Sequence, residues 1–217
     1  MPRRSSNTRT SKTRASKPRD QTRSDTSGQV RIIGGQWRSR KIEVPIAEGL
    51  RPTGDRIRET LFNWLQQEVI GARCLDLFAG SGILGLEALS RGAEFCRFIE
   101  THESTCSALL TQLSKFDLSP DQATVTRTDA SQWLKTPQIQ ESARYDLVFV
   151  DPPFAHDQAA EYCQQLEASS VMTDNALIYL EVELGQSDIE LPERWRQLRS
   201  KSSGRVTYSL YQRELSQ

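Results

Sequence analysis

The pattern of apolar and polar positions changes character along the chain. Up to Gln29 the only apolar residues are Met1 and Ala15. That is too little buried surface to offset the entropy of ordering, so Met1–Gln29 is expected to be a disordered basic tail. Apolar residues gather from Val30 onward. Val30-Arg31-Ile32-Ile33 and Lys41-Ile42-Glu43-Val44, on either side of Gly34-Gly35 and ahead of Pro45, predict a hairpin or small sheet. Ile57, Leu61, Trp64 and Leu65 then fall at i, i+4, i+7 and i+8, one face of an amphipathic helix with Thr53 or Asp55 as candidate N-cap.

Beyond Ala72, strands alternate with helices. The expected strands are Cys74–Phe78, Phe95–Glu100, Thr124–Arg127, Leu147–Asp151 and Leu177–Val182; the expected helices are Ile83–Ser90, Thr105–Phe116, Ser131–Leu134 and Asp157–Ala168. Strands joined through helices at this spacing make right-handed crossovers, and hence a mostly parallel sheet covered on both faces. The alternation stops after Leu191, where Leu198–Lys201 and Val206–Tyr211 around Ser203-Gly204 predict a terminal antiparallel hairpin and bring the sheet to seven strands. The fold class is therefore α/β and Rossmann-like. The expected division is a tail over 1–29, a hairpin and helix over 30–70, and a larger domain over 71–217.

Composition narrows the class. A chain of 217 residues with 36% hydrophobic content suits one domain with a small appendage. No run approaches the roughly 20 apolar residues of a membrane span, and the tail lacks the apolar stretch of a signal peptide, so a soluble cytoplasmic protein is expected. Cys74, Cys96, Cys106 and Cys163 are too widely spaced for ligand pairs, and His102 and His156 complete no cluster, so no metal is expected. Cys74 and Cys96, inside apolar runs, read as core residues. Charge is informative through its distribution. Eight of the 28 basic residues but only two of the 28 acids lie in Met1–Gln29, so the net charge of zero combines a tail of about +6 with a remainder of about −6. The tail is either a solubility segment or a tether to a polyanion.

The candidate chemistry lies where strands end. Leu75-Asp76-Leu77-Phe78-Ala79-Gly80-Ser81-Gly82 closes a strand with a glycine loop that opens a helix. Gly80 and Gly82 allow close backbone approach to a ligand, and the helix start offers free N–H groups. Asp76, at the end of a buried apolar strand, requires a partner. Gly80, Gly82 and Gly85 also satisfy G-x-G-x-x-G, and Glu100, 20 residues beyond Gly80, is placed to accept both hydroxyl hydrogens of a ribose. Asp129 could accept from an adenine amino group or cap the short helix after it. Phe149-Val150-Asp151-Pro152-Pro153-Phe154 ends a further strand. Its prolines remove N–H donors, leaving a carboxylate, a bare carbonyl and an aromatic face suited to a flat base bearing an exocyclic amine.

In combination these motifs resemble class I S-adenosylmethionine-dependent methyltransferases with an Asn/Asp-Pro-Pro-aromatic motif. With Arg31–Arg38, Leu50–Thr53, Asp55-Arg56 and Arg58–Leu65, the chain is similar to the bacterial family that methylates guanine N2 in small-subunit (16S) ribosomal RNA. The resemblance runs from about Val30 to Leu215; the longer, more basic tail departs from it. It implies the seven-stranded methyltransferase sheet with the last strand antiparallel, preceded by an RNA-contacting hairpin. For S-adenosylmethionine it implies Asp76, Gly80 and Gly82 around the methionine part, Glu100 on the ribose, Asp129 near adenine, and Thr53 and Arg58 completing the site. Asp151 and the Pro152 carbonyl would accept the amine hydrogens, and Phe154 would stack on the base. Arg31, Arg38, Arg40, Lys41, Arg51 and Arg56 would bind RNA phosphates, in free RNA or an assembling ribosomal particle.

Other readings remain open at the level of residues. Gly80, Gly82, Gly85 and Glu100 also suit an NAD-dependent oxidoreductase, which gives Asp151–Phe154 no role. The basic tail and hairpin would suit a non-enzymatic RNA-binding module. Adenine N6, in DNA or RNA, offers the same two hydrogens to the same acceptors as guanine N2.

Overall fold

A computed structural model describes residues 27–45, 53–136, 144–153, 158–185 and 189–215. The residues before 27, Arg51, Phe154 and His156 lie outside the described residues.

The described residues open with a two-stranded antiparallel sheet, β1 (Ser27–Arg31) and β2 (Lys41–Pro45). β1 begins earlier than expected: Ser27–Gln29, grouped with the tail by composition, pair with Glu43–Pro45. Backbone pairing needs no apolar side chains, so composition could not reveal this. Helix α1 (Asp55–Leu65) follows, burying Ile57, Leu61 and Leu65 as the periodicity predicts, together with Arg58 and Phe62. Its N-cap is Gly54 without a side-chain bond, in place of Thr53 or Asp55, whose side-chain oxygens are engaged elsewhere.

The main body alternates β3 (Arg73–Asp76), α2 (Ile83–Ser90), β4 (Phe95–Glu100), α3 (Glu103–Lys115), β5 (Ala123–Arg127), α4 (Ala130–Lys135), β6 (Tyr145–Val150), α5 (Ala159–Ala168) and β7 (Met172–Glu183), then ends in β8 (Trp195–Ser203) and β9 (Val206–Arg213). The seven strands lie in the order β5-β4-β3-β6-β7-β9-β8, with only β9 antiparallel to its neighbours β7 and β8. β7 extends five residues upstream of the expected Leu177, because Tyr145 at the start of β6 pairs with Met172. β3 stops at Asp76, so Leu77 and Phe78 already belong to the turn.

Alternation along the strands divides the core. Cys74, Phe98, Leu147, Phe149 and Tyr179 face α1, α2 and α3, whereas Leu75, Ile99, Val148, Val150 and Leu180 face α4 and α5. Helix α2 is apolar except for Glu87 and Ser90, and every residue of it is buried, as expected for a helix covered on both sides. Its outer cover is the N-terminal hairpin: Ile32 and Ile42 are fully buried in the same cluster as Leu86. All four cysteines are buried and free. Among the described residues no helix is long and apolar enough to cross a membrane, and no group of three or more His, Cys, Asp or Glu could hold a metal.

Candidate active site

Strand order reverses at β3, with β4 on one side and β6 on the other. In an open α/β sheet the crevice beyond the carboxyl ends at such a point is where ligands bind. Asp76 ends β3 and the glycine loop follows it, Glu100 ends β4 and Asp151 follows β6.

The loop is pinned to both neighbouring strands. Leu77 N donates to Phe149 O at 3.1 Å and Ala79 N to Ile99 O at 2.9 Å. Gly82, the N-cap of α2, has φ 73°, a left-handed conformation costly for a residue with a Cβ. Glu100 joins the loop to β4: its Oε2 accepts from Gly80 N at 2.9 Å, while Oε1 accepts from His102 N at 2.8 Å. The expected ribose acceptor and the glycine loop are therefore in direct contact. Asp76 is 2% exposed and accepts from Gly85 N at 3.2 Å. Burial, with Glu100 nearby, pushes its carboxyl up to about 7 against the pull of the Gly85 and Phe78 amides.

Asp151 and Pro152 follow β6, on the other side of β3 from Glu100. Thr53 Oγ1 donates to Asp151 Oδ2 at 3.2 Å, which brings the segment before α1 onto the motif. Burial first, then the carboxylates of Glu181 and Asp76, push Asp151 well above the ordinary carboxylate range, opposed by the Thr53 hydroxyl. Acids crowd against acids along this edge of the sheet, an arrangement that favours a cation among them.

Two expected cofactor residues are engaged with the chain itself. Asp129 caps α4, accepting from Gln132 N at 3.0 Å, so its helix-capping alternative is realised. Arg58 is fully buried. It donates to Thr53 O, Arg31 O, Glu87 Oε2 and Asp55 Oδ1 at 3.1, 3.0, 3.1 and 2.6 Å, so it shapes the site through Thr53.

Glu87 is the centre of this clasp. Fully buried in α2, it also accepts from Ile33 N at 2.9 Å, Gly34 N at 2.7 Å and Arg91 Nε at 3.0 Å. Next to it Gly35, at φ 73°, lies so close to Ser90 that a Cβ would come within 1.9 Å of the carbonyl oxygen. Sequence reasoning missed Glu87, although a single acid in the otherwise apolar Ile83–Ser90 helix signals a buried partner. It also missed Tyr179, Glu181 and the edge-on aromatic pair Phe78–Tyr162, with ring centroids 4.7 Å apart.

Of the expected RNA-binding residues that are described, Arg31, Arg38, Arg40 and Lys41 lie on the hairpin and Arg56 lies on α1. Arg31 and Lys41 are directly opposite across β1 and β2. They share with Thr53, Gly54 and Asp55 the lining of an open hollow of about 500 Å³. Arg31 also pairs with Asp55 at 3.2 Å, Arg40 lies over the Phe116 ring at 4.3 Å, and Arg38 and Arg56 are exposed.

A family profile described as conserved hypothetical protein 95 matches residues 30–212. The Escherichia coli (strain K12) protein named ribosomal RNA small subunit methyltransferase D is 46% identical over 188 residues, 87% of this chain and 92% of that protein. Its namesake in Haemophilus influenzae is 45% identical over 87% of this chain and 96% of its own length. The solved structure of E. coli yhhF superposes with a TM-score of 0.78 at 43% identity, covering 86% of this chain and 99% of that one. The seven-stranded sheet, the hairpin before it and these likenesses together make the chain a member of the conserved hypothetical protein 95 family, alongside the methyltransferases it resembles.

Proposed function

We propose that the chain transfers a methyl group from S-adenosylmethionine to the exocyclic N2 of a guanine in small-subunit ribosomal RNA. The observation that carries the reading is the convergence of Asp76, Glu100 and Asp151 on one crevice with the rigid Asp151-Pro152-Pro153 turn. Buried acids suit the positive charges of the methyl donor, whereas the pyrophosphate of a dinucleotide would add negative charge to an acidic pocket. The names of the 46% and 45% identical relatives support ribosomal RNA of the small subunit as substrate. The choice of guanine N2 rests on the family resemblance.

The methyl donor supplies an electrophilic methyl on a sulfonium. The chain must supply an amine that can attack it. The guanine N2 lone pair is delocalised into the ring, and the nitrogen becomes nucleophilic as it pyramidalises. Asp151 and the Pro152 carbonyl, accepting one hydrogen each, favour that geometry and stabilise the charge that develops on nitrogen. Thr53 holds Asp151 in place by donating to its Oδ2. Phe154 provides the stacking face for a base extruded from paired RNA. Arg31 and Lys41, which line the hollow beside Thr53, hold the adjoining phosphates.

The test is transfer of labelled methyl from S-adenosylmethionine to ribosomal RNA, assembled subunits and DNA, followed by nucleoside analysis. The expected product is N2-methylguanosine in small-subunit RNA. Label in N6-methyladenosine alone, or no transfer to any of the substrates, overturns the proposal.

A further inference from the structure

Methyl transfer as described leaves the buried acid Glu181, in β7, without a task; it is 5% exposed. β6 and β7 pair with Val150 opposite Leu180. One residue further, Asp151 falls beside Glu181, and by alternation both follow Phe149 and Tyr179 onto the α1 side of the sheet. Several groups face this pair. On β7 itself, Tyr179 Oη donates to Glu181 Oε2 at 2.7 Å. On β9, Tyr208 lies opposite Glu181. Ahead of α1, Thr53 donates to Asp151, and from β3 the charge of Asp76 acts on it. The buried cation of α1, Arg58, donates to Thr53 O, Arg31 O, Asp55 and Glu87.

We propose that Glu181 is a positioning residue for methyl transfer: its carboxylate, held by the Tyr179 hydroxyl, strengthens Asp151 as the acceptor of the amine hydrogen and of the proton that the amine releases. This inference rests on the methyl-transfer reading above. When N2 attacks, the N–C bond forms and the C–S bond breaks, its electron pair staying on sulfur. Nitrogen then carries a positive charge until one hydrogen leaves as a proton. Asp151 takes that proton and passes it to water. A more basic acceptor makes a stronger charge-assisted hydrogen bond to N–H as the charge grows, and Glu181 supplies that basicity by repulsion. The direction agrees with the electrostatics: after burial, Glu181 is the largest influence raising Asp151.

The experiment is single-turnover methyl transfer by the full-length protein, followed across pH with saturating S-adenosylmethionine and small-subunit ribosomal RNA. Glu181→Gln is expected to move the acid limb of the profile to lower pH by about one unit or more and to lower the plateau rate roughly tenfold. Its affinity for S-adenosylhomocysteine is expected to match that of the unmodified protein. Tyr179→Phe, which removes the hydroxyl that donates to Glu181, should shift the limb in the same sense by less. A merely structural role would lower the plateau and leave the limb in place. An unmoved limb, or a shift to higher pH, in either variant that folds by thermal melting overturns the inference; if Glu181→Gln does not fold, Tyr179→Phe decides. Unmodified protein that makes N2-methylguanosine while the variants keep its pH profile overturns this inference alone. Unmodified protein that makes none overturns the reading beneath it.

Discussion

On the proposed reading, in which Asp76 lies in the cofactor site, affinity for S-adenosylmethionine should fall about tenfold between about pH 8 and about pH 6, because that carboxyl is half protonated near neutrality. Burial pushes Asp76 up to about 7 in the free protein. The positive charges of the methyl donor favour the ionised form, so binding draws the value down and releases a proton. Affinity then scales with the fraction already ionised, roughly nine-tenths at pH 8 and one-tenth at pH 6, a difference of about 1.4 kcal/mol. The same shift has a defined sign for stability. A folded value raised above the ordinary one gives a contribution that is fully present below about pH 4 and is lost as pH rises through about 7, so added cofactor should stabilise the fold most above that value. Calorimetric titration in buffers of different ionisation enthalpy reads both quantities. Nearly one proton should be released per site near pH 6 and almost none near pH 8. Asp76→Asn, which cannot titrate, controls for the cofactor's own ionisations and should bind weakly with a flatter profile. Equal affinity across the range with no proton release, or an Asn variant with the same pH dependence as the unmodified protein, would refute the assignment of Asp76.

Asp151→Asn should retain fold and S-adenosylhomocysteine binding and lose about two to three orders of magnitude in turnover, read in the same labelled-methyl assay. Glu87→Gln breaks a fully buried pair with Arg58 and should cost about 3–5 kcal/mol in denaturant unfolding; a loss below about 1 kcal/mol would mean that the clasp contributes little to folding. Replacing Arg31 and Lys41 together by Gln should weaken RNA binding and flatten its log–log salt dependence by about 1.4 units, at unchanged cofactor affinity. Deleting Met1–Thr26 should act in the same direction if the tail tethers RNA; unchanged RNA affinity would favour a solubility role.

The sheet was legible in the sequence because short, near-continuous apolar runs alternate with stretches of helical spacing, and the Asp76–Gly82 and Asp151–Phe154 motifs fall where those runs end. The strand-end logic brought Glu100 to the glycine loop, where the structure has it bonded to Gly80. What escaped was long-range polar pairing. Arg58 occupies a helical position that reads equally well as surface charge, and only the arrival of Glu87 from α2 shows why it is buried. Glu181 alternates with the apolar residues of β7, and its neighbour Asp151, just after β6, lies 30 positions earlier in the chain. The strand at Ser27–Gln29 escaped for a different reason: its pairing is carried by backbone groups, on which composition is silent.

The Glu87 clasp gives the molecule a fixed internal gauge. Its carboxylate binds the hairpin backbone at Ile33 and Gly34, while the helix that carries it begins at the glycine loop. The cationic pair Arg31 and Lys41 is thereby held at a set reach from the crevice, and shortening or lengthening that reach would require breaking a buried charge network. On the proposed reading, a phosphate gripped at the hairpin can present a base to Asp151 only from one offset along the RNA strand. Selection of the target nucleotide would then be a matter of measured distance, with the hairpin as the stop against which the RNA is laid.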